Sequence, residues 1–208
     1  MSTGEKTSSP TAESLQQVLQ NTDNERKSVS RETLLEAIEN QEVFIRGDQR
    51  LEKEGVTILM SACQQGLEHE VRSILRKRPK MLYCKDRTGK NAIHYCAENQ
   101  NLTCIEQIIT IDNSLIDIKD NDGYTALQLS VMTGNIPMIK FLLSHKSSIH
   151  TLDNEQHSLM HWAVVCGKVE VLDVLFMAGA KPSLPDKHGA HPIHYAAQLC
   201  NSSDSNSR

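Results

Sequence analysis

Apolar residues recur along this chain at helical spacing, and the pattern itself returns on a fixed period. Val71, Ile74 and Leu75; Ile105, Ile108 and Ile109; Ile139, Leu142 and Leu143; and Leu172, Leu175 and Phe176 each stand at i, i+3, i+4, the spacing that lines one face of an α-helix. A second signature precedes each set. The segments DRTGKNAIHYCAENQ at Asp86, DNDGYTALQLSVMTG at Asp120, DNEQHSLMHWAVVCG at Asp153 and DKHGAHPIHYAAQLC at Asp186 open alike. Their aspartates recur about every 33 residues, a period that marks a repeat architecture. A fifth copy, EKEGVTILMSACQQG, comes first, its Gly55 lying one period before Gly89.

Within each period the chemistry is coherent. Asp and Gly, as at Asp120 and Gly123 or Asp186 and Gly189, suit a tight turn in which Gly takes positive φ. Thr57, Thr125 or Ser158 then stands where a helix N-cap belongs, and Ala62, Ala97, Ala163 and Ala196 permit close helix approach. Gly66, Gly134 or Gly167 separates this short helix from the second, and Pro137 suits a helix start. Upstream, RETLLEAIENQEVFIRG sets Leu34, Ile38 and Ile45 at helical spacing between Ser30 as N-cap and Gly47 as stop. Residues 1–28 hold nine Ser or Thr and few large apolar residues, which predicts a flexible tail.

The 208 residues are 38% apolar, 23% charged and only 4% aromatic. That excludes a staple-dependent miniprotein and fits aliphatic helix faces better than a β-sandwich. Six cysteines without a C-x-x-C pair, and an N-terminus without an apolar leader, predict an intracellular chain with reduced thiols, in the cytoplasm, the nucleus or both. The longest apolar runs, such as 174–180, reach about a third of a membrane span. Neither a myristoyl glycine nor a C-a-a-X cysteine suggests a lipid anchor.

A turn and two antiparallel helices in each period resemble the ankyrin repeat, with its D-x-x-G turn followed by T-P-L-H-x-A-A. Asp186, Gly189, Pro192, Ile193, His194, Ala196 and Ala197 match best, then Thr125, Ala126 and Leu127, and Gly179 with Ala180 later in the unit. The resemblance implies an all-α solenoid of stacked helix-turn-helix units with β-turn tips and an N-terminal capping helix. The expected divisions are a disordered tail over 1–28, a capping helix over 29–51, and repeats over 52–85, 86–119, 120–152 and 153–185. A partial repeat over 186–200 and a polar tail over 201–208 complete the chain.

Departures from the pattern carry expectations of their own. Gln156 replaces the turn Gly in the fourth repeat, so either it bears that backbone at a cost or the turn is distorted. Met60 and Gln128 replace the histidine that ties neighbouring repeats in ankyrin proteins, which predicts weaker or differently wired interfaces. After Cys200 the chain reads NSSDSNSR, so the fourth repeat's apolar face lacks a second helix to cover it. A shortened form of a longer protein, a partner, or homodimerisation through that edge would supply the cover.

Candidate chemistry is sparse. His188, His191 and His194 lie three apart but lack a fourth ligand at sensible spacing, and the resemblance gives His94, His161 and His194 structural roles, so no metal is expected. Phosphate-loop, dinucleotide, nucleophile-elbow and H-E-x-x-H motifs are absent, and the helical cysteines read as small apolar filler. No enzyme, cofactor or small-molecule substrate is therefore expected. Between Arg72 and Lys90, eight bases face one acid, so this stretch carries plus seven and the remaining chain minus eleven. Such a patch suits an anionic lipid, an acidic or phosphorylated peptide or a nucleic acid, although missing aromatics disfavour single-stranded nucleic acid.

The resemblance implies a non-catalytic scaffold or adaptor that grips another protein in the concave groove lined by turn tips and first helices. The tip positions include Arg87, Lys90, Asn121, Asp122, Tyr124, Asn154, Glu155, His157, Lys187 and His188. First-helix positions include Gln64, Gln65, Asn99, Met132, Val165, Cys166, Gln198 and Leu199, with Tyr124, Met132 and Val165 as apolar anchors and Trp162 as core. The alternative is that the chain is the N-terminal ankyrin portion or a short isoform of a larger multidomain protein, one that can carry a catalytic domain. Ser28 and Ser30 follow basic residues and are weak phosphorylation candidates.

Overall fold

The computed structural model describes residues 11–24, 30–40, 55–97, 99 and 101–204. Two helices precede the repeats, α1 (Ala12–Asn24) and α2 (Arg31–Glu39). The repeats then contribute α3 (Ile58–Gln64) with α4 (Glu68–Lys77), α5 (Ala92–Ala97) with α6 (Leu102–Ile111), α7 (Ala126–Thr133) with α8 (Ile136–Ser144), and α9 (Leu159–Cys166) with α10 (Val169–Met177). The final helix is α11 (Pro192–Asp204). Short 3-10 turns, Pro79–Tyr83 and Asn113–Asp117, follow the first two pairs. Among the described residues there is no strand, only an isolated bridge between Leu152 and Ser158.

The helices start and stop where their chemistry directs. Thr57 and Thr125 accept the N–H of Met60 and Gln128, each at 3.3 Å. Gly134 and Gly167 close α7 and α9 at φ +70 and +65, a left-handed geometry cheap only for glycine. Pro137 lies in the first turn of α8, where no intrahelical donor is lost. First helices stack as one row, α2 on α3 and then through α5, α7, α9 and α11, with the second helices behind them. One continuous apolar core results, including Leu59, Ile105, Leu127, Leu142, Trp162 and Leu175.

Three expectations are corrected or fall outside the described residues. The segment expected to be a flexible tail holds α1, with Thr11 capping the N–H of Ser14 at 3.3 Å. Ala12 and Leu15 are buried in the main core, and Val18 and Leu19 pack against it. Short-range composition misled here because the cover is long-range: α1 packs on α9 and α11. Similarly, α11 runs to Asp204 and takes in the start of the stretch expected to be a polar tail. Ser30 does cap α2, accepting the N–H of Thr33 at 3.2 Å, but that helix ends at Asn40. Ile45, Gly47 and Ser28 lie outside the described residues.

Candidate protein-interaction surface

Each turn is organised by its leading aspartate. Asp120 Oδ1 accepts the N–H of Asp122 and Tyr124 at 3.0 and 2.8 Å, and Asp153 and Asp186 take the matching pairs in their own turns. The tips are then laced to one another. Asn121 N–H donates to Thr88 O at 2.9 Å, Asn154 N–H to Asp122 O at 3.1 Å, and Lys187 N–H to Glu155 O at 3.0 Å. A Cβ at Gly89 or Gly123 would collide with Asn121 or Asn154, so glycine there permits the close approach. Gln156 adopts φ +63, so the turn keeps its shape and the side chain bears the strain.

The structure separates the expected tip residues into three groups. Arg87, Asp122, Glu155 and Lys187 present charged side chains to solvent, the last two paired at 3.2 Å, with His188 half-buried beside them. Asn121 and Asn154 are exposed but commit their amides to the carbonyls of Arg87 and Asn121, at 2.9 and 2.8 Å. Lys90 and Tyr124 are half-buried, and the Tyr124 ring meets Trp162 edge-on at 5.5 Å.

Three expected surface residues are buried instead. His157 turns inward between two carboxylates, its Nδ1 3.1 Å from Asp153 Oδ2 and its Nε2 3.7 Å from Asp186 Oδ2. Met132 and Val165, expected as apolar anchors open to a partner, are 7% and 3% exposed. Val165 belongs to α9, which α1 overlies, whereas Cys166 is tucked back, its thiol donating to Met132 O at 3.0 Å. The residues that sequence reasoning missed are Ala12 and Leu15, whose spacing with Val18 and Leu19 is the amphipathic signal that the Ser/Thr-rich surroundings obscured.

The inter-repeat ties follow the histidines. His94 Nδ1 accepts the N–H of Asn91 at 3.2 Å, leaving Nε2–H to donate to Tyr124 O at 3.1 Å in the next repeat. His161 repeats this with Ser158 and Ala190, at 3.0 and 3.1 Å. Burial favours the neutral ring in both, bringing His94 down to about 4 and lowering His161. Gln128 in the third repeat accepts from Thr125 but leaves Nε2 buried without a partner, so that tie is missing as its substitution predicts.

Other features bear on competing chemistry. Burial pushes the Cys104 thiol up to about 12 and Cys166 to about 11, which keeps both protonated and poorly nucleophilic at neutral pH. Among the described residues no group of three His, Cys, Asp or Glu side chains is arranged to hold a metal, and no helix is long and apolar enough to cross a membrane. Arg72 and Arg76 line a 450 Å³ groove between α4 and α6, but Glu106 lies in the same groove. Lys85 is drawn instead to Lys119 O, at 3.2 Å. At the other end, Phe176 and Ile193 are 62% and 69% exposed, although their counterparts in earlier repeats, such as Ile109 and Leu127, are buried.

Comparison with known proteins agrees with this architecture. The profile of a family described as ankyrin repeats, three copies, matches residues 27–117 and 101–186. The chain is 26% identical over 145 residues to the "Probable 26S proteasome regulatory subunit p28" of Saccharomyces cerevisiae, covering 68% of this chain and 64% of that protein. It is also 26% identical to the "Palmitoyltransferase AKR1" of Debaryomyces hansenii, over 66% of this chain and 22% of that one. The "Intracellular phospholipase A2" of Caenorhabditis elegans matches at 26% identity, over 76% of this chain and 15% of its own length. The chain thus spans less than two thirds of these relatives.

Proposed function

Because the chain belongs to the ankyrin repeat family, a protein-interaction fold that is generally non-catalytic, we propose that it is a scaffold or adaptor that binds a partner protein along its turn tips and concave face. The observation that carries this reading is the laced row of tips. Backbone bonds fix their spacing, so the charged side chains of Arg87, Asp122, Glu155 and Lys187 stand preorganised, and a partner binds them at small ordering cost. With a base at each end and two acids between them, they favour a partner strip of mixed charge over a uniformly anionic surface. The expected residence is the cytoplasm or nucleus.

A photo-crosslinking residue at position 122 tests this, with one at Glu106, on the opposite side of the array, as control. Discrete adducts are expected from position 122 only, and Arg87→Glu with Lys187→Glu should abolish them without altering thermal unfolding. Equal adducts from both positions, or adducts indifferent to the charge reversals, would refute the reading. A second reading, homodimerisation through the edge bearing Phe176 and Ile193, is favoured by the exposure of those two large apolar side chains. Light scattering over a concentration series decides it: a mass that stays at 23.3 kDa up to high micromolar concentration excludes the dimer.

A further inference from the structure

Among the described residues, the neighbours of α9 leave it one open side. Helices α7 and α11 flank it and α10 lies behind it, so α1, which packs on both α9 and α11, occupies the concave side. Two observations fix its seat. The N–H of Ala12 donates to Gln198 Oε1 at 2.9 Å across the fifth repeat, and Ala12 and Leu15 are buried in the core of the array. Gln198 of α11 and Val165 of α9 stand at the same register position of successive repeats, both on the groove side that the resemblance assigns to partner binding.

The seat is built like a docked ligand and not like a structural layer. The opposite face of α1 carries exposed Glu13, Ser14, Gln17 and Gln20, so the helix holds on through a single apolar stripe. At 13 residues it is at the margin of what persists as an isolated helix in water. The repeats pack helix on helix without it. Helix-in-groove recognition uses this kind of one-sided, regularly spaced anchoring.

We propose that the concave face of the fourth and fifth repeats is a receptor for an amphipathic helix bearing a small residue, then leucine, then valine or leucine on successive turns, and that α1 is its built-in occupant. A partner helix of that pattern then binds by displacing α1. The inference rests on the groove reading above and adds its regulation: a tethered occupant acts at an effective concentration near millimolar and lowers the apparent affinity of any competitor.

The test uses the full chain and a fluorescein-labelled peptide of residues 11–24, read by anisotropy. Gln17→Pro breaks α1 from its exposed side and leaves the repeats untouched. The peptide should bind the Gln17→Pro chain at least tenfold more tightly than the unaltered chain. In the Gln17→Pro background, Val165→Asp should abolish that binding, and Gln198→Ala, on an exposed position that does not threaten folding, should weaken it severalfold. Equal binding to the unaltered and Gln17→Pro chains, or no binding to the Gln17→Pro chain, overturns the proposal. Adducts at position 122 that persist while the peptide fails would overturn the masking alone, whereas peptide exchange without tip adducts would overturn the tip reading alone.

Discussion

Replacing Leu129 with tyrosine should stabilise the array, because the third repeat lacks a hydrogen bond that the second, fourth and fifth possess. Tyr95 OH donates to Asp86 Oδ2 at 2.7 Å, Trp162 Nε1–H to Asp153 Oδ2 at 3.0 Å, and Tyr195 OH to Asp186 Oδ2 at 2.6 Å. Leu129 occupies the same register position, and Asp120 Oδ2 is buried without a partner. Burial raises the Asp120 pKa against the opposing pull of the Tyr124 N–H. At Asp186 burial also pushes upward, but the Tyr195 hydroxyl, the N–H groups of Ala190 and His188, and His157 outweigh it, and the pKa is lowered. A hydrogen bond to a charged group is worth about 1.5–3 kcal/mol net, and the larger ring can cost about 1 kcal/mol in repacking. The expected gain at pH 7 is therefore about 0.5–2 kcal/mol. A raised carboxyl pKa means that the penalty Asp120 places on folding grows as pH climbs from the unfolded value of about 3.9 to the folded one and is full above it, so the Tyr gain should be largest at neutral pH and shrink below about pH 4. Urea unfolding at both pH values measures it, with Leu129→Phe as the control that adds the ring without the hydroxyl. Equal gains for Phe and Tyr, or a Tyr gain independent of pH, would refute the argument.

Two further substitutions probe the same wiring. Gln128→His should restore the missing tie by donating to the carbonyl of His157, the counterpart of Tyr124 O and Ala190 O, and raise stability by about 0.5–1.5 kcal/mol at pH 7. Since such a buried ring has its pKa depressed, as at His94, that gain should disappear as pH falls below about 6.5, which chemical denaturation at pH 7.5 and 5 would reveal. Gln156→Gly removes the strain of a side chain at φ +63. It should stabilise by about 0.5–1 kcal/mol after the entropy that glycine adds to the unfolded chain, visible as a higher urea midpoint at unchanged m.

What the sequence revealed and what it hid divide by range. The caps Thr57 and Thr125, the left-handed Gly134 and Gly167 and the missing tie at Gln128 are set by residues a helical turn away or by the repeat period, and both are written in the chain. The exposed tips were legible at Arg87, Asp122, Glu155 and Lys187 because register alone puts them there. Register failed at His157, which shares its position with Lys90, Tyr124 and Ala190 but lies between Asp153 and a carboxylate of the next repeat, Asp186. It failed again for α1, whose cover comes from Gln198, 186 residues away. The amphipathic spacing of four modest apolar residues among Ser, Gln and Asn marks a helix face but not the surface that covers it.

The distribution of these ties argues that the array is mechanically uneven. Between the third and fourth repeats the laced tips remain, and Lys168 Nζ still reaches Thr133 O at 3.1 Å, but the centre holds an unpartnered Gln128 Nε2. Between the fourth and fifth, His161 donates to Ala190 O, His157 lies between the two aspartates, and Tyr195 OH, held by Asp186 of its own repeat, lies 3.3 Å from His157 Nε2. Helix α1 then spans those same two repeats. In a linear array each interface contributes separately to stability, so the seam between the third and fourth repeats should open before the one that follows it. Native-state hydrogen exchange tests the order. Amides of α7 should exchange at lower free energy than those of α9, and breaking α1 with Gln17→Pro should bring α9 down toward α7 while leaving α7 unchanged. Were α7 the better protected in the unaltered chain, the central ties would not be what sets the stability of each seam.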